Sequence, residues 1–172
     1  TPYESFETFL PEDESMRKLC IQSMQKNEIK LHYNAPGIFQ IDGEFNPCSE
    51  NPEYRKNALN LAKKHICYAA EAESPIIVFA ACPDNGIKKR PELLKRYMEY
   101  FLELAELCRT YHMEITIEPI ERHRFKKLIL GPFKDCTDFM LDVQKNGASN
   151  AHFMFDTAHL PLMEESLETA IK

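Results

Sequence analysis

The segment EITIEP, residues 114–119, alternates apolar and polar side chains and ends in a glutamate followed by proline. In a β-strand this alternation sends the two isoleucines to one face and the threonine and Glu118 to the other. Ala80 lies 38 residues before Glu118 in the apolar segment PIIVFAA, and Asp156 lies 38 residues after it in AHFMFD. A period this regular indicates successive strand–helix units of one architecture.

Strand-like and helix-like segments alternate along the whole chain. The predicted strands are residues 28–33, 75–81, 114–118 and 151–156, with a weaker one at 5–10. The predicted helices are residues 12–26, 52–72, 91–111 and 134–146. Asn51 and Pro52 supply an N-cap and a first helical residue, and Gly147 follows the last helix. This alternation predicts an α/β fold with a parallel sheet.

The lengths of the loops favour a barrel over an open sheet. The predicted loops after the strands are long and hold four of the five glycines, whereas the turns before the strands are short. A (β/α)8 TIM barrel concentrates its chemistry in such loops, while an open sheet usually binds ligands at one switch point. The glycine-rich motifs of dinucleotide-binding and P-loop proteins are absent, which argues against the commonest nucleotide-binding folds.

The chain is short for a complete barrel. Eight units of this period need about 300 residues, and barrels average about 250, whereas this chain has 172. We therefore predict one domain over residues 1–172, a partial TIM barrel with about five of the eight βα units. Its strands at 5–10 and 151–156 would expose apolar edges, so we also expect the chain to associate with itself.

Composition narrows the classes of partner. Lys plus Arg is 21 and Asp plus Glu is 27, which gives a net charge of −6. An acidic balance argues against binding to nucleic acid or to an anionic membrane, and no apolar run approaches the roughly 20 residues of a transmembrane helix. None of the six cysteines lies within four residues of another, which excludes a C-x-x-C motif. We expect free thiols and a cytoplasmic protein.

Glu118 and Asp156 are the strongest candidates for chemistry. If the apolar faces of their strands pack against helices, both carboxylates point into the barrel at its mouth, where ionised groups seldom persist unpaired. We predict both as metal ligands and Glu118 also as a general base. His159 follows in a D-x-x-H motif, close enough to reach the same ion or to contact substrate. The alternative is a solvated Glu118, an Asp156 that caps the next turn and a surface His159.

Two further residues are predicted to contact substrate. Strand alternation points the His32 side chain into the barrel, as it does for Glu118 and Asp156, and an Asn-Ala-Pro-Gly loop follows the strand. A histidine at the end of a strand is as often structural. Arg122 belongs to a charged loop directly after Glu118 and could clamp an anionic or polyhydroxylated substrate. The alternative for Arg122 is a solvated surface loop.

Taken together, these motifs resemble the xylose isomerase-like TIM barrels, a group that includes sugar phosphate isomerases and epimerases and the endonuclease IV type of apurinic endonuclease. The resemblance lies in I-T-I-E118-P, in the basic loop with L-I-L-G131-P, in F-M-F-D156-T-A-H159-L and in H32-Y-N-A-P. It covers essentially the whole chain, from about the second strand of the family's barrel to the sixth.

The resemblance implies a divalent metal ion held by four residues that follow strands five to eight. Glu118 and Asp156 match the first two, and the other two have no counterpart in this chain. His159 matches a histidine that contacts substrate in the epimerases and binds an additional zinc in the endonucleases. Sugar epimerases of the group often carry another glutamate about six residues after the first, where this chain has Arg124.

The favoured function is a metal-dependent isomerase or epimerase of a small-molecule sugar or sugar phosphate, which works through an enediolate stabilised by Mn²⁺, Mg²⁺, Co²⁺ or Zn²⁺. With two ligands and one base missing, we expect this chain alone to bind metal weakly and to be inactive. Two other classes stay open: an endonuclease IV-like phosphodiesterase, and a non-catalytic binding domain that retains part of the fold.

Overall fold

The computed structural model describes residues 3–37 and 43–171. Five parallel strands form one sheet in the order β1-β2-β3-β4-β5, so neighbours in sequence are neighbours in space. Their bounds are Ser5–Thr8 (β1), Lys30–Asn34 (β2), Ile76–Ala80 (β3), Glu114–Glu118 (β4) and Ala151–Phe153 (β5). This is the partial TIM barrel that the sequence predicted.

A helix follows each of the first four strands. The helices are α1 (Glu14–Lys26), α2 (Pro52–Glu71), α3 (Arg90–Thr110), α4 (Phe133–Lys145), α5 (Leu160–Met163) and α6 (Leu167–Ile171), with 3₁₀ turns at Gly43–Phe45 and Thr157–His159. Asn51 caps α2 by accepting the Glu53 N–H, and Gly147 after α4 has a φ of +99°, as the sequence indicated. Within the described residues no helix is long and apolar enough to span a bilayer.

The two faces of the sheet differ in chemistry. Ile77, Phe79, Ile115 and Ile117 are fully buried on the face that packs against the helices, together with Tyr33. The opposite, concave face carries the alternate residues of each strand, among them Glu7, His32, Asn34, Thr116 and Glu118. The strand alternation therefore directs polar side chains toward the interior of the barrel.

The end of the sheet departs from the prediction. β5 stops at Phe153, three residues before Asp156, whereas the sequence predicted a strand to 156. The Met154 N–H still donates to the Ile117 carbonyl, but the chain then turns, and the Asp156 side chain caps the turn Thr157–His159. The weakly predicted first strand is present as Ser5–Thr8.

The expectation that all cysteines are free is wrong for two of them. Cys48 and Cys82 form a disulfide across a sequence separation of 34, with a Cα–Cα distance of 6.4 Å. Cys48 lies in the loop after β2 and Cys82 directly follows β3. Because β2 and β3 pair in parallel, the segments after them emerge side by side. Cys20, Cys67, Cys108 and Cys136 are free.

A buried histidine lies between the sheet and α2. His65 is 3% exposed, and its Nδ1 lies 2.7 Å from the hydroxyl of the fully buried Tyr33. Burial disfavours the charged imidazolium and lowers the pKa of His65 from 6.5 to about 4. The neutral imidazole is therefore part of the folded core at neutral pH.

We expect the fold to lose stability as the pH falls from about 6.5 to about 4. In that range the unfolded chain binds a proton at His65 and the folded chain does not, so acid favours unfolding, by roughly 3 kcal/mol at most. His65→Gln should flatten this dependence in urea titrations at several pH values, whereas the exposed control His123→Gln should keep it. Equal pH slopes for wild type and His65→Gln, or an NMR titration of His65 near pH 6.5 in the folded protein, would contradict the assignment.

Candidate metal centre

Glu118, Asp156 and His159 meet at the carboxyl end of the sheet. One potential ligand atom from each side chain lies within 4.8 Å of the other two. His159 Nε2 is 3.0 Å from Glu118 Oε1 and 3.7 Å from Asp156 Oδ2. Glu118 is the last residue of β4, Asp156 precedes the turn after β5 and His159 ends that turn, so the pairing of these neighbouring strands brings the three residues together. The convergence of Glu118 and Asp156 is as the sequence predicted.

The turn after β5 sets the direction of His159. Asp156 Oδ1 accepts the Ala158 N–H at 2.8 Å, and the Asp156 carbonyl accepts the His159 N–H at 3.2 Å. Asp156 thus caps the turn with one carboxylate oxygen, while Oδ2 is the oxygen nearer to His159. The sequence left two alternatives for Asp156, a cap of the turn or a member of the cluster, and the Asp156 side chain is both.

Burial and charge make Glu118 the least water-stabilised carboxylate of the cluster. Its side chain is 16% exposed, compared with 41% for Asp156. Burial raises the pKa of Glu118, the nearby charges of Asp156 and Glu7 raise it further, and the hydrogen bond to His159 opposes both. Two carboxylates and one imidazole within this distance form a donor set that a divalent cation satisfies, since it offsets the repulsion between the carboxylates.

A buried carboxylate shapes the loop that follows β4. Glu121 is 0% exposed and accepts the backbone N–H groups of Arg124, Phe125, Lys126 and Lys127. Burial alone would raise the pKa of Glu121, but these four hydrogen bonds outweigh it and hold the pKa at about 2. The sequence showed only a charged loop here, because no local pattern marks an acidic side chain that folds back on its own backbone.

Salt bridges tie this loop to the loop after β3. The Arg122 guanidinium, 8% exposed, bonds the Ile129 carbonyl and the Asp135 carboxylate and has its Nε 3.8 Å from Asp84 Oδ2. Arg90 also binds Asp84, at 2.7 Å, and the charges of both arginines keep the pKa of Asp84 below its usual range although burial opposes this. The Arg122 side chain thus lies inside the protein and holds together the loops after β3 and β4, which form the rim of the sheet at its carboxyl edge. The substrate contact predicted for it stays a prediction that these contacts do not support.

His32 lies on the concave face but outside the cluster of ligand atoms. It pairs in register with Glu7 of β1, and Glu7 Oε1 accepts a hydrogen bond from Asn34 Nδ2 at 2.7 Å. These residues form a polar wall on β1 and β2, while the cluster lies on the far side of β3. A role for His32 in substrate binding stays a prediction.

Comparison of the sequence with protein families supports the same architecture. The family described as xylose isomerase-like TIM barrel matches residues 2–171. Among curated protein sequences none matches this chain significantly.

Solved structures of similar shape are sugar epimerases and a protein named for AP endonuclease. D-Psicose 3-epimerase with D-tagatose from Clostridium cellulolyticum H10 aligns with a TM-score of 0.79 and 20% identity over 98% of this chain and 58% of that one. D-Allulose 3-epimerase from Methylomonas sp. in complex with D-allulose gives 0.80 and 16% identity, over 98% and 57%. AP endonuclease, family 2, from Brucella melitensis gives 0.74 and 14% identity, over 95% and 62%. The chain thus spans less than two thirds of each of these proteins.

Gly131 is predicted to be essential to the shape of the loop after β4. A Cβ at this position would lie 2.6 Å from the Arg122 nitrogen and 2.8 Å from the Glu121 carbonyl carbon, so backbone would have to move. We expect Gly131→Ala to lower the free energy of unfolding by roughly 1–3 kcal/mol, the usual range for overpacking. Gly43→Ala is the matched control, because nothing lies within 4 Å of a Cβ there. Equal urea midpoints for the two variants would show that the loop yields freely.

Proposed function

The chain belongs to the xylose isomerase-like TIM barrel family, and we propose that it carries the Glu–Asp part of the metal site of an isomerase or epimerase that acts on ketoses. One observation supports this most directly: Glu118, Asp156 and His159 converge at the carboxyl ends of adjacent barrel strands. That edge is where barrel enzymes place their chemistry.

The class of substrate is proposed from the neighbouring structures. These neighbours include D-psicose and D-allulose 3-epimerases, solved with D-tagatose, with D-fructose or with D-allulose. At 16–20% identity these structures support the fold of this chain. The class of substrate is part of our proposal. A polar concave face that carries Glu7, His32 and Asn34 provides hydrogen-bonding groups of the kind that recognise sugar hydroxyls.

The donor set fits a divalent cation. Glu118 and Asp156 would hold it through carboxylate oxygens, with His159 as a third ligand or as a contact to substrate; Mn²⁺, Mg²⁺, Co²⁺ and Zn²⁺ are the candidate ions. When bound, such a cation supplies Lewis-acid stabilisation of negative charge on the oxygens of a ketose.

Glu118 is the proposed base. Its partly buried carboxylate has a raised pKa, which brings a carboxylate closer to the range in which it accepts and returns a proton efficiently near neutral pH. It would take the proton from the carbon next to the ketose carbonyl. His159, 3.0 Å from Oε1, holds the carboxylate in one orientation. Asp156 is itself fixed by the turn that it caps, so the three groups are positioned before substrate arrives.

The other two functions that the sequence left open are less well supported. The Brucella neighbour is named an AP endonuclease, but a net charge of −6 argues against a DNA-binding face. A non-catalytic binding domain would not need two carboxylates and an imidazole within 4.8 Å of one another. Metal binding therefore separates this alternative from the proposed enzyme.

We expect the chain to bind Mn²⁺, and Glu118→Gln and Asp156→Asn each to weaken binding by roughly tenfold or more, since each removes an anionic ligand. Glu114→Gln is the matched control, because Glu114 begins the same strand and is paired with His152 at 2.9 Å. Isothermal titration calorimetry gives the affinities. If Glu118→Gln binds as tightly as wild type, the proposed metal site is wrong.

A protein that contains this chain within a whole barrel is expected to epimerise ketoses at the carbon next to the carbonyl, for example D-fructose to D-psicose, in the presence of the metal. Glu118→Gln should abolish turnover by removing a base and a ligand charge, while Glu114→Gln should keep it. Chromatographic detection of the epimer provides the measurement. Metal binding that depends on Glu118, with no turnover of any ketose, would leave the site standing and refute the substrate class.

A further inference from the structure

The turn that carries Asp156 and His159 is attached at both of its ends to the first residue of α4. Before the turn, the ring of Phe155 packs on the ring of Phe133, with the two centroids 4.6 Å apart. After the turn, the two carboxylate oxygens of Glu165 accept the Phe133 N–H, at 3.2 and 3.3 Å. Phe133 therefore holds the chain directly before Asp156 and again a few residues after His159.

Helix α4 takes its N-terminal hydrogen-bond acceptor from a distant part of the chain. Its N-cap residue is Pro132, whose side chain makes no capping hydrogen bond. The first N–H groups of a helix have no partner within the helix, and this end of a helix favours a negative charge. Phe133 is 3% exposed, so its N–H would be left unpaired and shielded from water without Glu165. The capping residue lies 32 positions further along the chain.

Backbone hydrogen bonds transmit the position of Glu165 to His159. The N–H groups of Glu164 and Glu165 both donate to the Leu160 carbonyl, the latter at 3.1 Å, which closes the chain around the one-turn helix α5. Leu160 is 7% exposed and directly follows His159. A displacement of Glu165 therefore moves His159 relative to Glu118, whose Oε1 lies 3.0 Å from His159 Nε2.

The adjacent Glu164 makes a contact of a different kind. Its carboxylate binds the Arg124 guanidinium at 2.8 Å, and the two side chains are 76% and 51% exposed. Exposed ion pairs of this kind contribute little, because water and salt screen them. Glu164 and Glu165 thus have the same charge, but only Glu165 satisfies a buried donor.

We propose that Glu165 is a positioning residue of the metal centre: its carboxylate, bound to the N-terminus of α4, holds the turn in the geometry that brings Asp156 and His159 to Glu118. The inference rests on the proposed metal site and adds a residue that touches neither metal nor substrate. Ligands held in place by their surroundings lose less freedom when the cation binds.

Three variants that each remove one negative charge test this role: Glu165→Ala, Glu165→Gln and Glu164→Ala, each with a net charge of −6 + 1 = −5. Only Glu165→Ala removes the acceptor of the Phe133 N–H, since the amide oxygen of glutamine still accepts a hydrogen bond. Circular dichroism confirms that each variant is folded. Isothermal titration calorimetry with Mn²⁺ gives the affinity, and ¹⁵N relaxation of the metal-free chain gives the backbone order at Ala158 and His159.

Glu165→Ala should bind Mn²⁺ roughly tenfold more weakly than wild type, as expected when the support of a metal ligand is lost. In the metal-free chain its order parameters at Ala158 and His159 should fall from about 0.85, typical of rigid backbone, toward about 0.6. Glu165→Gln and Glu164→Ala should match wild type in both measurements.

A purely structural cap gives a different result. If Glu165 only caps α4, Glu165→Ala loses order near Phe133 but keeps the order of Ala158 and His159 and the Mn²⁺ affinity, which would overturn the proposal. An equal loss of affinity in Glu164→Ala would overturn it as well, because the effect would then follow charge alone. A wild type that does not bind Mn²⁺ would refute the proposed function, and the order parameters of the metal-free variants would still decide whether Glu165 holds the turn.

Discussion

Parallel pairing of the strands is the constraint on which the rest of this structure depends. In a parallel sheet every strand ends at the same edge, so residues that are 38 apart in sequence, Glu118 and Asp156, emerge a few ångströms apart. The same geometry brings Cys48 after β2 to Cys82 after β3, and the loop after β3 to the loop after β4. The cluster, the disulfide and the braced rim are three consequences of one topology.

The rim is stabilised by charges that are buried and paired. Glu121 is satisfied by backbone N–H groups, and Asp84 by two arginines, so neither leaves an uncompensated charge. Removing a partner from such a set costs more than the pair itself contributes, because the remaining charge is left in a poor environment. These interactions keep the loops fixed around Glu118, whose own environment lacks comparable compensation. Among Glu118, Glu121 and Asp84, Glu118 is therefore the carboxylate whose pKa is raised, while the pKa values of the other two are lowered.

The described residues divide their polar groups between two surfaces. The concave face carries the candidate metal centre and the wall of Glu7, His32 and Asn34. The convex, helical side carries a groove between α3 and α4, in which three of the lining carboxylates, Asp135, Asp138 and Asp142, are paired with cations of the same chain. The candidate metal centre thus lies on the concave face, away from the groove between the helices.

The sequence determined the architecture and which two carboxylates meet at the carboxyl edge of the sheet. Strand alternation and the 38-residue period are local and repeating signals, so they yielded the parallel sheet, the four long helices, the inward position of Glu118 and its meeting with Asp156. Only the tertiary structure decided that β5 ends early and leaves Asp156 as a cap, that Cys48 and Cys82 are joined, and that Arg122 lies among acidic residues inside the protein. It also revealed Glu121 as the anchor of its loop. Each of these features depends on which loops lie side by side, and that is set by the pairing of distant strands rather than by any pattern within one segment.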